Sequence, residues 1–153
     1  MSKLLIRRAT LADADTLAAF NTAMAHETEA KALPPDVIAR GVRRVLSEPA
    51  LGVYYVAEHG GRVVGQMLIT YEFSDWRDGL FWWIQSVYVA PAARRLGVYR
   101  ALHEHVAAEA RRTSGVCGLR LSVDKRNTRA QAVSRRLGLR ATEYDLYEED
   151  WSQ

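Results

Sequence analysis

Residues 86–102 read SVYVAPAARRLGVYRAL. An apolar strand runs through a Pro91-Ala92 turn and the pair Arg94-Arg95 into Gly97, which opens a helix. The first backbone N–H groups of a helix have no partner within it and stand at its positive end, so an anion placed there takes several hydrogen bonds at once. Gly97 allows a ligand to come close. Arg94, Arg95 and Arg100 add guanidinium forks, which match phosphate oxygens better than a lysine point charge does. The stretch predicts a cradle for a pyrophosphate-bearing cofactor.

Outward from this stretch, strands and helices alternate. Residues 4–8 read as a first strand, and Thr10-x-x-Asp13 as a capping-box variant opening a helix to about His26. Pro34-Pro35-Asp36 breaks the chain and starts a second helix to about Leu46, and Pro49 and Gly52 mark the next break. Strands over 53–58 and 62–73 are joined by His59-Gly60-Gly61, a hairpin turn, and 80–89 forms a long fourth strand. A helix over 97–112, a strand over 119–123, a helix over 127–137 and a strand over 142–147 complete the order.

Two motifs in register carry a resemblance. Arg94-x-x-Gly97-x-Tyr99 after a strand resembles the acetyl-CoA signature Arg/Gln-x-x-Gly-x-Gly/Ala of the GNAT N-acetyltransferases. Asn127-x-x-Ala130 followed by Leu137-Gly138-Leu139 resembles the family's Asn-x-x-Ala…Leu-Gly-Phe helix, one strand further on. The resemblance spans nearly the whole chain and implies a single GNAT domain over 1–153. Its α/β (α+β) fold would have a mixed sheet of six to seven strands, splayed between the fourth and fifth and flanked by about four helices. The implied cofactor is acetyl-CoA as co-substrate. Unpaired backbone groups of Val87, Tyr88 and Val89 would hold its pantetheine arm as a surrogate strand. Arg94, Arg95, Leu96, Gly97, Val98, Tyr99 and Arg100 would hold its pyrophosphate, with Asn127 and Ser134 on the last helix also lining the cofactor.

Composition fits a small enzyme of this kind. A chain of 153 residues, 48% hydrophobic and 25% charged, suits one globular domain with a real core. Net charge is only +3, yet residues 94–140 hold 12 Arg/Lys against 3 Asp/Glu, so that segment is +9 and the remainder −6. The basic part coincides with the cofactor motifs, and the acidic part suits a cationic amine. Arg111, Arg112, Arg135 and Arg136 read as solvating exposed helix faces. No signal-peptide core follows Met1 to Arg8 and no apolar run is long enough to cross a bilayer, so the expected location is the cytoplasm. Cys117, the single cysteine, reads as buried filler without disulfide or metal companions. The four histidines, His26, His59, His103 and His105, show no metal-site spacing, so no metal is expected.

An ammonium, with a pKa of about 10, must lose its proton before its lone pair attacks a thioester. The resemblance implies direct transfer between two bound substrates, with the oxyanion held by a strand N–H, here that of Val87. Departures from the family pattern bear on the other roles. Ser134 aligns with the general-acid tyrosine, leaving the thiolate to Ser134 through water, to Tyr144 or Tyr88, or to solvent. Tyr99 replaces a small residue and sets a ring beside the pyrophosphate. Trp83 and Gln85 occupy fourth-strand positions where relatives often carry glutamate. Glu72 is then the nearest carboxylate, acting through water or as a cation attractor, with Glu27 and Glu29 as alternatives. The aromatic group Tyr71, Phe73, Trp76, Phe81, Trp82 and Trp83 reads as strand packing, part of which lines the acceptor pocket.

The expected function is acetyl transfer from acetyl-CoA to a primary amine of a small molecule. The alternative is a degenerate relative that binds acetyl-CoA as a sensor or structural ligand. A nucleic-acid module is disfavoured, since the aromatics lie in the acidic half and no nucleic-acid motif appears. The C-terminal strand makes a homodimer unsurprising.

Overall fold

In the computed structural model, which describes residues 3–152, the first strand β1 (Leu5–Arg8) lies antiparallel to β2 (Val53–His59). Arg7 locks the joint after β1: its two terminal nitrogens take the two oxygens of Asp13 at 2.8 and 3.0 Å, and its Nε takes Glu58 at 2.8 Å. The Thr10 N–H donates to the same Asp13 carboxylate at 2.8 Å, one half of the capping box expected there. A short 3-10 turn, Leu11–Asp13, leads into α1 (Ala14–Glu29), and α2 (Pro35–Ser47) starts at a proline whose missing N–H costs nothing in a first turn.

α1 buries Ala14, Leu17, Asn21 and Ala25, at the 3–4 spacing of one helix face, and α2 buries Val42. Ala14, Leu17 and Val42 meet Tyr54 and Val56 of β2. The alternate β2 residues, Tyr55 and Ala57, point to the other face, where Val98, Leu102, Val106 and Ala110 of α3 (Val98–Arg112) cover them. Three layers result, with α1 and α2 on one side of the sheet and α3 on the other. β2 is therefore apolar on both faces, and losing Leu17, which is fully buried, would cost about 2–5 kcal/mol.

The sheet has five strands in the order β1-β2-β3-β4-β5, with β3 at Arg62–Ser74, β4 at Gly79–Val89 and β5 at Val116–Leu121. β1 to β4 are antiparallel, while β5 returns parallel to β4 after the α3 crossover. The Gly60-Gly61 hairpin joins β2 to β3 as expected.

Two expectations are corrected. Residues 142–147 form no strand, so the described residues carry five strands instead of six to seven. Alternation of Thr142, Tyr144 and Leu146 with Glu143 and Asp145 imitates a half-buried strand, but the backbone ladder needs a receiving edge, and Tyr144, Leu146 and Tyr147 stand exposed. Cys117 is exposed as well, on the edge strand β5.

The chain divides into two compact units, a larger one ending at Ser122 and a smaller one beginning at Val123. The smaller contains α4 (Thr128–Arg136). Its two motif ends are helix punctuation: the Asn127 Oδ1 accepts the Ala130 N–H at 3.0 Å as an N-cap, and Gly138, at φ +98°, stops the helix. No helix among the described residues is long and apolar enough to cross a membrane.

Candidate active site

β5 pairs with β4 only from Leu80 to Ile84. The next β4 residue, Gln85, is a bulge: Ile69 faces Ile84 and Leu68 faces Ser86, so Gln85 has no partner on β3. A bulge bends a strand and raises its twist, which parts β4 from β5 at this point. The bulge also changes which N–H groups face outward. Before it, the Leu80 N–H points toward β5, bonding Gly115 at 2.7 Å. After it, the Ala90 N–H points toward β3, bonding Val64 at 2.8 Å. Alternation then puts the Tyr88 N–H on the β3 side and turns the Val87 and Val89 N–H groups to the open edge.

The open edge continues into the basic turn. A 3-10 turn at Pro91–Ala93 is anchored by buried Ala93, and Gly97 caps α3 at φ +73°, a left-handed conformation that side chains resist. A Cβ at Gly97 would project into open space, so the glycine is required by the backbone and the space above it is free. The first intrahelical acceptor is the Gly97 carbonyl, bonded by Ala101 at 3.0 Å, which leaves the Val98, Tyr99 and Arg100 N–H groups without helical partners. Val98 is buried against Gly65 of β3, where any Cβ would fall 2.7 Å from the Val98 side chain. That close approach seats the start of α3 beside the end of β4.

The three arginines of this turn differ in state. Arg94 donates to the Val89 carbonyl at 3.0 Å and to Glu27 at 2.7 Å, and lies over the Tyr88 ring. Arg100 is paired with Glu104 at 2.8 Å. Among the described residues Arg95 is exposed and has no ion pair. The Tyr99 ring, expected beside the pyrophosphate, instead packs on the core and meets His103 edge-on at 6.2 Å, and burial raises its pKa. Only its N–H remains on the loop side.

Glu27, at the end of α1, accepts from Arg94 and from the Tyr88 hydroxyl at 3.2 Å. The guanidinium hydrogen bond holds the Glu27 carboxyl below the usual range, and burial and Glu27 together raise the Tyr88 phenol. Glu29 pairs with Lys31 at 3.5 Å, in solvent. Further along the same sheet face, the Glu72 Oε1 accepts from the Trp83 indole at 2.9 Å and from Arg120 at 2.8 Å. Those two bonds, the indole first, depress the Glu72 pKa, which suits holding a cation and weakens it as a proton acceptor. Gln85 donates to Thr70 at 2.9 Å. Ser134 is the one buried residue of α4. Of the aromatic group, Phe81 and Trp82 are buried, whereas Phe73 and Trp76 are exposed.

Sequence reasoning passed over Arg120, counted only as part of the basic segment. Its signal is a charge inside an apolar strand, Leu119-Arg120-Leu121. It also missed Gln66, fully buried on β3 beside Tyr88 with both amide atoms unpartnered, and the buried, unpartnered Ser86 hydroxyl next to the bulge. Unpartnered buried polar groups are uncommon and cluster where function overrides packing.

A split mixed sheet, a bulged central strand with free N–H groups and a helix N-terminus at its end define an acetyltransferase-type fold. The chain belongs to the GNAT acetyltransferase family: the sequence profile described as "Acetyltransferase (GNAT) family" matches residues 15–139. Among solved structures it is similar to a possible acetyltransferase from Clostridium difficile 630, at 39% identity and TM-score 0.92, covering 98% of this chain and 99% of that one. A probable acetyltransferase shares 28% identity at TM-score 0.84, over 97% of this chain and 99% of the other. An aminoglycoside N-acetyltransferase, AAC(6')-Iy in complex with CoA, has the same fold at 16% identity and TM-score 0.81, over 99% of this chain and 97% of that one. No curated protein matches the chain.

Proposed function

We propose that this protein is an N-acetyltransferase that carries the acetyl group of acetyl-CoA to a primary amine of a small molecule, in the cytoplasm and as a single domain. The observation that carries the reading is the turn of the Val87 and Val89 N–H groups to the open edge of β4, directly ahead of the free α3 N-terminus. An extended pantetheine arm bonds that edge as a strand would, and its pyrophosphate falls on Gly97, Val98, Tyr99 and Arg100. Arg95 supplies free charge.

In the transfer, the amine nitrogen attacks the thioester carbon. The C–N bond forms, the C–S bond breaks, and the Val87 N–H stabilises the negative oxygen between these events. Glu72 holds the incoming ammonium, whose proton leaves through water. Solvent protonates the thiolate. Tyr88 already donates its proton to Glu27. Glu27, Glu29, Trp83 and Gln85 border the acceptor.

Calorimetry with acetyl-CoA tests the reading, with thiol release followed across an amine panel. We expect micromolar binding that Arg95→Ala and Gly97→Glu both weaken by tenfold or more, with circular dichroism unchanged. Absence of binding to the wild type sinks the cofactor assignment. Binding without thiol release from any amine favours the second reading, a sensor, which the serine at position 134 supports. A homodimer belongs to the same proposal, because Tyr144, Leu146, Tyr147 and Trp151 stand exposed and a second copy would cover them. Light scattering at two concentrations reads the mass.

A further inference from the structure

Glu72 on β3, Phe81 and Trp83 on β4 and Arg120 on β5 share one sheet face, since Glu72 faces Phe81 and Trp83 faces Arg120 across adjacent strands. One oxygen of Glu72 takes both the indole N–H at 2.9 Å and the Arg120 Nη1 at 2.8 Å. The Arg120 guanidinium carbon lies 3.7 Å from the Phe81 ring centroid, so the fork rests against the ring face. Among the described residues the Glu72 Oε2 and the Arg120 Nε and Nη2 have no partner. The side chains remain 46% and 25% exposed, respectively. A free carboxylate oxygen and a free guanidinium edge therefore stand side by side on an aromatic floor, next to the point where β5 ends and the open edge begins.

A purely cationic acceptor gains little from such a pair, because Arg120 cancels most of the attraction that Glu72 exerts. An amine that also carries an anion uses both members: the ammonium meets Glu72 Oε2 and the anion meets the free fork of Arg120 bidentately. Three residues lie between Trp83 and Val87, one of them the bulge, so about 10 Å of strand lies between the Arg120 level and the oxyanion N–H. The guanidinium itself leans back over Phe81, away from Val87, so the amine leaves Glu72 to reach the thioester while the anion stays on the fork, and the longer acceptors suit that span best.

We infer that the acceptor is an amine bearing a carboxylate or phosphate, and that Arg120 selects it. This rests on the acetyltransferase reading above. The test compares each anionic amine with its uncharged partner: glycine with glycinamide, β-alanine with its amide, 4-aminobutyrate with its amide, and phosphoethanolamine with ethanolamine. The last pair separates phosphate from carboxylate. Wild-type kcat/KM is expected to favour at least one anionic member tenfold or more. Arg120→Gln should bring that pair within twofold while the acetyl-CoA Kd stays unchanged, and Arg120→Lys should restore part of the preference.

Equal rates within every pair, or an Arg120→Gln loss that falls equally on both members, overturns the inference while leaving acetyl transfer intact. Should no amine release thiol, the transfer reading fails separately, and calorimetry of the same pairs in the presence of CoA decides: binding of an anionic member that Arg120→Gln abolishes upholds the site. Failure of every anionic member to bind overturns it.

Discussion

Arg94 is the residue whose role differs most between sequence and structure. In the motif it reads as a phosphate ligand, yet its guanidinium is shared between the Val89 carbonyl and Glu27. Its charge is thus tied to a carboxylate at the end of α1, and a polyanionic cofactor must compete with Glu27 for it. Glu27→Gln frees the guanidinium. Because exposed ion pairs are weak, the expected gain in acetyl-CoA affinity is modest, about two- to fivefold, and shrinks in high salt. Calorimetry at two salt concentrations reads it, and unchanged or weaker affinity in the variant would show that Arg94 does not reach the cofactor. Gly97 was legible because a glycine at a strand-to-helix turn has a local backbone reason. The fate of Arg94 was not, since Glu27 lies 67 residues away along the chain.

At the scale of elements, the bulge at Gln85 does more than any side chain on β4. It ends pairing with β5 and sets the parity by which Val87 and Val89, rather than Ser86 and Tyr88, offer N–H groups to the open edge. Deleting Gln85 restores a regular β3–β4 ladder and removes the bend. Such a variant is expected to lose tenfold or more in acetyl-CoA affinity while its thermal midpoint stays within a few degrees of the wild type, because no apolar core side chain is lost. A full retention of affinity would assign the split to α3 instead. The strand, turn and helix around Pro91 were readable since each follows local rules: proline, glycine and apolar period. The bulge was not readable, because it is a relation between two strands. The same reason explains the missing strand at 142–147, where alternation is present in the sequence but the residues join no strand ladder.

Across the molecule, order and layering were legible because helices with a 3–4 period and strands with apolar runs leave few ways to bury their faces. The distribution of charge was also legible, and structure divides it into charges near the cofactor turn and charges remote from it. Arg95 stands on the turn. Arg111 and Arg112 close the other end of α3, a helix of 15 residues and so about 22 Å long. That distance exceeds two Debye lengths at physiological salt, about 8 Å each. If the basic segment acts only as a bulk attractant, all three arginines matter alike. If the turn is the binding site, Arg95→Gln slows acetyl-CoA association several-fold at physiological salt, whereas the double variant Arg111→Gln/Arg112→Gln leaves it within twofold. Stopped-flow association measured from low to high ionic strength separates the two. A steep salt dependence lost in Arg95→Gln and kept in the double variant places the steering field at the turn; equal losses in both would make the excess of arginine a property of the whole basic segment.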